Sequence, residues 1–233
     1  MNPQRVTWII PIVVAAALLT APAAAANTHY PVLLVHGAIG SPRNFDTMAE
    51  RLRDDGYRPY TVDFPFPATD SVADARLIAE RVQQILAETG AAKVHLVAQS
   101  LGGIAARYYL RELGGLAHVA TYTAIGTAQH GISSPVSCLT IPDTCPSGPV
   151  LQTINAGDDT PGSILYTSIG STDTPDEADG TWTRLDGGAC LPQVSGGQHA
   201  GEPSDPVVHA TVLRALESRC APGQYADLPD ISP

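Results

Sequence analysis

Three short runs decide the fold class. YPVLLV (30–35) is an unbroken apolar run, and RPYTVDF (58–64) and KVHLVA (93–98) are further strand-like runs rich in β-branched or aromatic residues. Unbroken runs of this length suit strands covered on both faces, as in a parallel sheet. Segments of helical period lie between them. In 44–55 the residues Phe45, Met48, Ala49 and Leu52 share one face, and Gly56 stops the helix. In 72–89 the face is Leu77, Ile78, Val82, Ile85 and Leu86, with Gly90 as the stop. Further strands are expected over 117–125, 163–169 and 191–195, and further helices over 101–113, 150–156 and 206–218. Strand alternating with helix predicts an α/β chain: a doubly wound, mostly parallel sheet of about six strands joined by right-handed crossovers.

Residues 1–26 have the order of a secretory signal. Arg5 gives the positive start, WIIPIVVAAALL (8–19) the apolar stretch, and Ala24-Ala25-Ala26 the small residues before a cut near Asn27. The domain boundaries expected are therefore 1–26 for the leader, 27–220 for a single folded domain and 221–233 for a poorly ordered tail. Four cysteines in an exported chain suggest two disulfides. Proximity favours Cys138 with Cys145 and Cys190 with Cys220, and no zinc spacing is present. The net charge is −10, and the basic residues are Lys93 and scattered arginines. Nucleic acid and anionic membrane both require a positive patch, so neither is an expected partner.

Chemistry concentrates at Ala98-Gln99-Ser100-Leu101-Gly102-Gly103, between a buried strand and a helix. Small residues two before and two after a serine permit the sharp strand-to-helix turn that lifts a nucleophile above a sheet. Ser100 as an ordinary helix N-cap is the competing reading. Upstream, the strand at 32–35 runs into His36-Gly37-Ala38-Ile39-Gly40, a loop able to aim an N–H at a developing oxyanion. The N–H of Leu101 would be the second donor. Downstream, His118 falls in a strand and His209 in a helix. His199 lies in a loop of small residues, GGQHAG, able to reach over the serine, and is the expected base. His130 follows a strand end and is read as lining the cleft. The acid should lie between Ser100 and His199, just past a strand end. Asp173, Asp176 and Asp179 meet that condition, Asp173 with the shortest reach.

The segments VLLVHGAIGSPRNF, YTVDFPF, ETGAAKVHLVAQSLGG, ILYTSIGSTD and GGQHAG resemble the small secreted bacterial lipases of the minimal α/β-hydrolase type (class 2, Bacillus-like), over most of 30–217. The resemblance implies an α/β-hydrolase fold without a large cap domain, and a secreted lipase or esterase working through an acyl-enzyme. It puts the nucleophile on Ser100, the acid on Asp173, the base on His199 and the oxyanion amides on Ala38 and Leu101. Many members carry His before the serine, where this chain has Gln99. Ile39, Phe45, Phe64, Phe66, Ile104 and Ile132 are the residues expected to form an apolar acyl pocket. A hydrophobic ester is the expected partner. No cofactor, metal or integral membrane span is called for, and a monomer is expected. A polyester depolymerase with the same triad, and a catalytically silent binding protein on the same fold, are the alternatives.

Overall fold

The structure is a computed structural model that describes residues 29–175, 177, 180–195, 197–220 and 225–226. The expected leader, and Asp176 and Asp179, lie outside the described residues. The elements in chain order are β1 (Val32–Val35), α1 (Asp46–Asp54), β2 (Pro59–Val62), α2 (Ser71–Thr89), β3 (Val94–Gln99), α3 (Leu101–Glu112), β4 (Val119–Ile125), α4 (Pro135–Thr140), α5 (Pro149–Ile154), β5 (Leu165–Ser171), β6 (Ala189–Cys190), β7 (Gln193–Val194), α6 (Pro206–Leu216) and β8 (Tyr225–Ala226).

The sheet runs β2-β1-β3-β4-β5-β6-β8, with β7 also paired to β5. Every pairing is parallel except β6 with β8. Both faces of the central strands are covered, which explains their apolar runs. Leu33 and Val35 pack into a core with Ile78, Val82 and Ile85 of α2 and Ala105 and Tyr109 of α3. Val32 and Leu34, pointing the other way, pack with Met48 and Leu52 of α1 and Val208 and Val212 of α6. The period-2 geometry of a strand divides each run between the two layers.

Local chemistry fixes the helix ends. Asp70 caps α2 by accepting from the Ala73 N–H, and Gly90 ends it at φ 68°. Asp205 caps α6 by accepting from Val207 and Val208, with Pro206 in the first turn.

Strand order reverses between β1 and β3. In open α/β sheets such a switch point opens a crevice at the carboxyl ends of the strands. His36–Ala38 leaves β1 there, and Ser100 leaves β3.

Three expectations needed revision. The segment 221–233 contributes β8, so it is not wholly a tail. Helix α4 and strand β6 had no recognisable pattern, because each is short and set among Gly, Pro and Cys. The strand read over 191–195 shrinks to β7. Both disulfides form as proximity suggested, Cys138–Cys145 and Cys190–Cys220. The first closes the loop around α4; the second ties β6 to the chain leaving α6. Among the described residues no helix is long and apolar enough to cross a membrane.

Candidate active site

Ser100 joins β3 to α3 with φ 56° and ψ −132°. A non-glycine residue held there stores about 1–3 kcal/mol and persists only where its surroundings over-determine it. Three bonds do so. The Ser100 N–H donates to the Ile125 carbonyl at 2.9 Å, and its own carbonyl accepts from Gly103 N–H at 3.0 Å and from the Thr127 hydroxyl at 2.9 Å. The sharp turn also explains the glycines. A Cβ at position 102 would run into the His36 carbonyl, one at 103 into the Thr127 side chain, and one at 37 would lie 2.8 Å from Ser100 Cβ.

The Ser100 side chain makes no cap bond to α3. Its Oγ instead lies 3.0 Å from His199 Nε2, across 99 residues of chain. Gln99, also buried, donates from Nε2 to the His199 carbonyl at 2.9 Å and so fixes the loop that carries the imidazole. The Ser171 hydroxyl donates to the Gly197 carbonyl at 3.1 Å and anchors the same loop to the end of β5. Gln99 thus has a positioning task that the sequence did not reveal.

The other imidazole nitrogen faces two glutamates. Glu177 Oε1 lies 3.1 Å from Nδ1 in hydrogen-bonding line, and Glu177 Oε2 accepts from the Ser171 N–H at 3.0 Å. Glu202 Oε2 lies 3.2 Å from the same nitrogen, off the N–H direction. Both carboxylates are only 1% exposed. A carboxylate facing Nδ1 can only accept, so Nδ1 carries the hydrogen and Nε2 is free to take the serine proton. The hydrogen bond to Glu177 first, and then the Glu202 carboxylate standing against the same nitrogen, push the imidazole pKa well above its ordinary 6.5, outweighing the opposite effect of burial.

The acid expected at Asp173 is not the one the structure brings to His199. Strand β5 continues through Ser171, two residues beyond the run read from sequence, and pairs there with β7. Asp173 therefore falls in the exposed turn directly after it, where its carboxylate accepts from the Thr172 hydroxyl at 3.4 Å. The chain then folds back through Glu177 N–H to Thr174 carbonyl, 2.9 Å, and carries Glu177 beneath the imidazole. Glu202, three residues after His199, gave no signal beyond its place in a polar loop.

The Gly37 carbonyl is held by His36 Nδ1 at 2.9 Å and by the Gly40 N–H at 3.1 Å. In a planar trans peptide the following N–H points the opposite way, so the N–H of Ala38 leaves this turn. The N–H of Leu101 begins a helix and has no intrahelical partner. Among the described residues no acceptor takes either group.

The pocket residues separate into three groups. Ile104 packs with Ala38, Leu101, Val150, Leu151 and Ile154 in a small apolar cluster beside those two amides, with Ile141 against it. Ile39 is 84% exposed next to Ala38, Phe66 is exposed, and Ile132 is half-buried. Phe45 and Phe64 correct the sequence reading, since both are core. Phe45 is fully enclosed under α1 with Met48 and Leu52, and Phe64 packs in the opposite layer, 4.8 Å from the His36 ring. His130 is also turned to other work, 3.0 Å from buried Asp159 and 3.6 Å from Asp186.

Over residues 30–144 the chain matches the α/β-hydrolase-fold family. It is 33% identical over 146 residues to a triacylglycerol lipase of Burkholderia plantarii, covering 55% of this chain and 40% of that one. It is 34% identical over 140 residues to a triacylglycerol lipase of Vibrio cholerae, covering 56% and 42%. The chain thus spans about two fifths of the length of these curated relatives. Aspergillus fumigatus lipase B superposes with a TM-score of 0.71 at 19% identity, over 84% of this chain and 54% of that one. Mature Bacillus licheniformis lipase BlEst2 superposes with a TM-score of 0.62 at 17% identity, over 81% and 92%.

Proposed function

We propose that this chain, which belongs to the α/β hydrolases by its fold, is a serine hydrolase of carboxylic esters, a lipase or esterase. One observation carries the reading: Ser100 Oγ, His199 and Glu177 are joined by contacts of 3.0 and 3.1 Å above the sheet's switch point. Ser100 Oγ attacks the ester carbonyl while His199 Nε2 takes its proton. The Ala38 and Leu101 N–H groups stabilise the tetrahedral oxyanion, each contributing about 10²–10³ in rate. His199 then protonates the leaving alcohol, and the acyl group remains on Ser100. Water, deprotonated by the same imidazole, releases the acid. Glu177 holds the Nδ1–H tautomer and stabilises the imidazolium as it forms. The apolar cluster around Ile104 receives the acyl chain beside the two amides.

The curated relatives are triacylglycerol lipases, and they support a hydrophobic ester as the substrate class. Two disulfides fit an oxidising compartment, and we read the chain as exported, with a mature start near Asn27. Intact mass of protein recovered from the culture medium tests the export reading.

Hydrolysis of p-nitrophenyl esters from acetate to palmitate tests the activity, together with labelling by a fluorophosphonate. Turnover and labelling of one serine are expected; inert protein on both assays would overturn the reading. The identity of the acid is tested separately. Asp173→Asn is expected to leave kcat/KM within about twofold, because its carboxylate faces solvent. Glu177→Ala is expected to lower it by at least about 10²-fold. The reverse order of effects would restore Asp173 as the acid.

A further inference from the structure

Glu202 has no part in the chemistry above, yet the fold makes room for it. Gly126, at the end of β4 with φ 56°, forms its floor: a Cβ there would stand 2.5 Å from Glu202 Oε2 and 2.7 Å from His199 Nδ1. Neither oxygen of Glu202 has a hydrogen-bond donor among the described residues. Its neighbour Glu177 has two, the imidazole Nδ1–H and the Ser171 N–H. The ligand-type atoms of Glu177, His199 and Glu202 all lie within 4.8 Å of one another.

Two nearly waterless carboxyl groups this close do not both ionise readily, because each charge raises the cost of the other. Of the two, Glu177 is the one with hydrogen-bond donors, the imidazole Nδ1–H and the Ser171 N–H. Glu202 lacks donors and is the group that retains its proton longer. Burial pushes its carboxyl up from the ordinary range, the His199 contact draws it down, and the Glu177 charge raises it again, with a net rise. The ionisable groups facing it are His199 and Glu177. Arg51 of α1 reaches the same turn, but its guanidinium donates to the Ser204 carbonyl at the surface. Asp205 is turned away to cap α6.

Resting on the hydrolase reading above, we propose that Glu202 is a positioning residue that loses its proton later than an ordinary carboxyl but before His199 does, and that by ionising it raises the base strength of His199. With Glu202 neutral, one carboxylate faces the imidazole. When Glu202 ionises, a second negative charge stands against Nδ1 and stabilises the imidazolium. His199 then retains a proton on Nε2 and cannot accept one from Ser100. Removing the ionisable group must therefore weaken the base and free it at lower pH.

The test is the pH profile of kcat/KM on p-nitrophenyl butyrate for the native protein and for Glu202→Gln, which keeps the shape and cannot ionise. The acid limb of the variant is expected to move down by about one pH unit or more, an approximately tenfold relative gain on that limb. An unmoved limb, or one displaced upward, overturns the proposal. ¹⁵N NMR titration of His199 in the unsubstituted protein gives an answer even where the variant does not fold. The imidazole is expected to stay charged well above its ordinary 6.5, in two coupled steps; a single step near 6.5 overturns the proposal. Failure of the hydrolase reading looks different, because the native protein would then not hydrolyse the ester at any pH.

Discussion

Ser100→Ala is expected to lower kcat for soluble p-nitrophenyl esters by about 10⁴–10⁶-fold while leaving the protein folded. The loss is large because the alanine has no atom to form the acyl bond. What remains is the contribution of the Ala38 and Leu101 amides and of substrate binding, about 10³–10⁴-fold over water. Stability should change by less than about 1 kcal/mol, since the lost hydroxyl bonded only the half-exposed His199 ring. The helix-cap reading predicts the opposite signature: activity intact and about 1 kcal/mol of stability lost. The absence of a cap bond at Ser100 already favours the first outcome. Kinetics with fluorophosphonate-titrated protein, paired with a thermal melt, separates the two. Residual turnover that survives fluorophosphonate treatment belongs to the variant itself, and turnover within tenfold of native would end the case for Ser100.

The parts of this site carried by short-range rules were legible in the sequence. The elbow at Ser100 needs small neighbours at positions 98, 102 and 103, and those residues are visible without coordinates. The buried parallel strands wrote themselves as apolar runs. His199, which lies 3.0 Å from Ser100 Oγ, is legible because chain order and small neighbours leave few rivals. The carboxylate that faces His199 is not legible in the sequence, because its position depends on where β5 ends, and β5 is lengthened by pairing with β7, a two-residue strand with almost no pattern of its own. Glu202 and Gln99 were invisible for a related reason. Their roles exist only through contacts with one imidazole loop, made across sequence distances that no periodicity records. Phe45 and Phe64 are pocket candidates by residue type only, and nothing in a one-dimensional pattern separates a pocket phenylalanine from a core one. The structure buries them in the two opposite core layers, Phe45 from the turn before α1 and Phe64 from the segment after β2.

The largest effect on stability is expected at Arg107. This residue lies on α3, seven positions after Ser100, and is 2% exposed. Its Nη1 donates to the Gln129 carbonyl at 3.1 Å, and its Nη2 to the carbonyls of Ile154 and Asp159 at 3.0 and 2.9 Å. The same Nη2 stands 3.8 Å from the Asp159 carboxylate, itself 3% exposed. One cation thus gathers the segment between β4 and β5, including the turn that supplies Thr127 to Ser100. Burial alone would push the Asp159 carboxyl up, but the His130 bond, the Asp186 N–H and the Arg107 charge hold it below the ordinary range. Arg107→Met keeps the volume and removes every donor, leaving the Ile154 and Asp159 carbonyls unpaired, the Gln129 carbonyl with only the Asn155 amide, and a buried anion without its cation. Breaking one side of such a pair costs about 3–5 kcal/mol, roughly 6–20 °C in Tm for a chain of this size. Adding Asp159→Asn should recover part of the loss, because the stranded charge goes with it. A stability deficit that is instead due to lost packing would not respond to the second substitution. A Tm within 2 °C of native for Arg107→Met would mean that the 126–160 segment is held by its apolar contacts, with the arginine incidental to them.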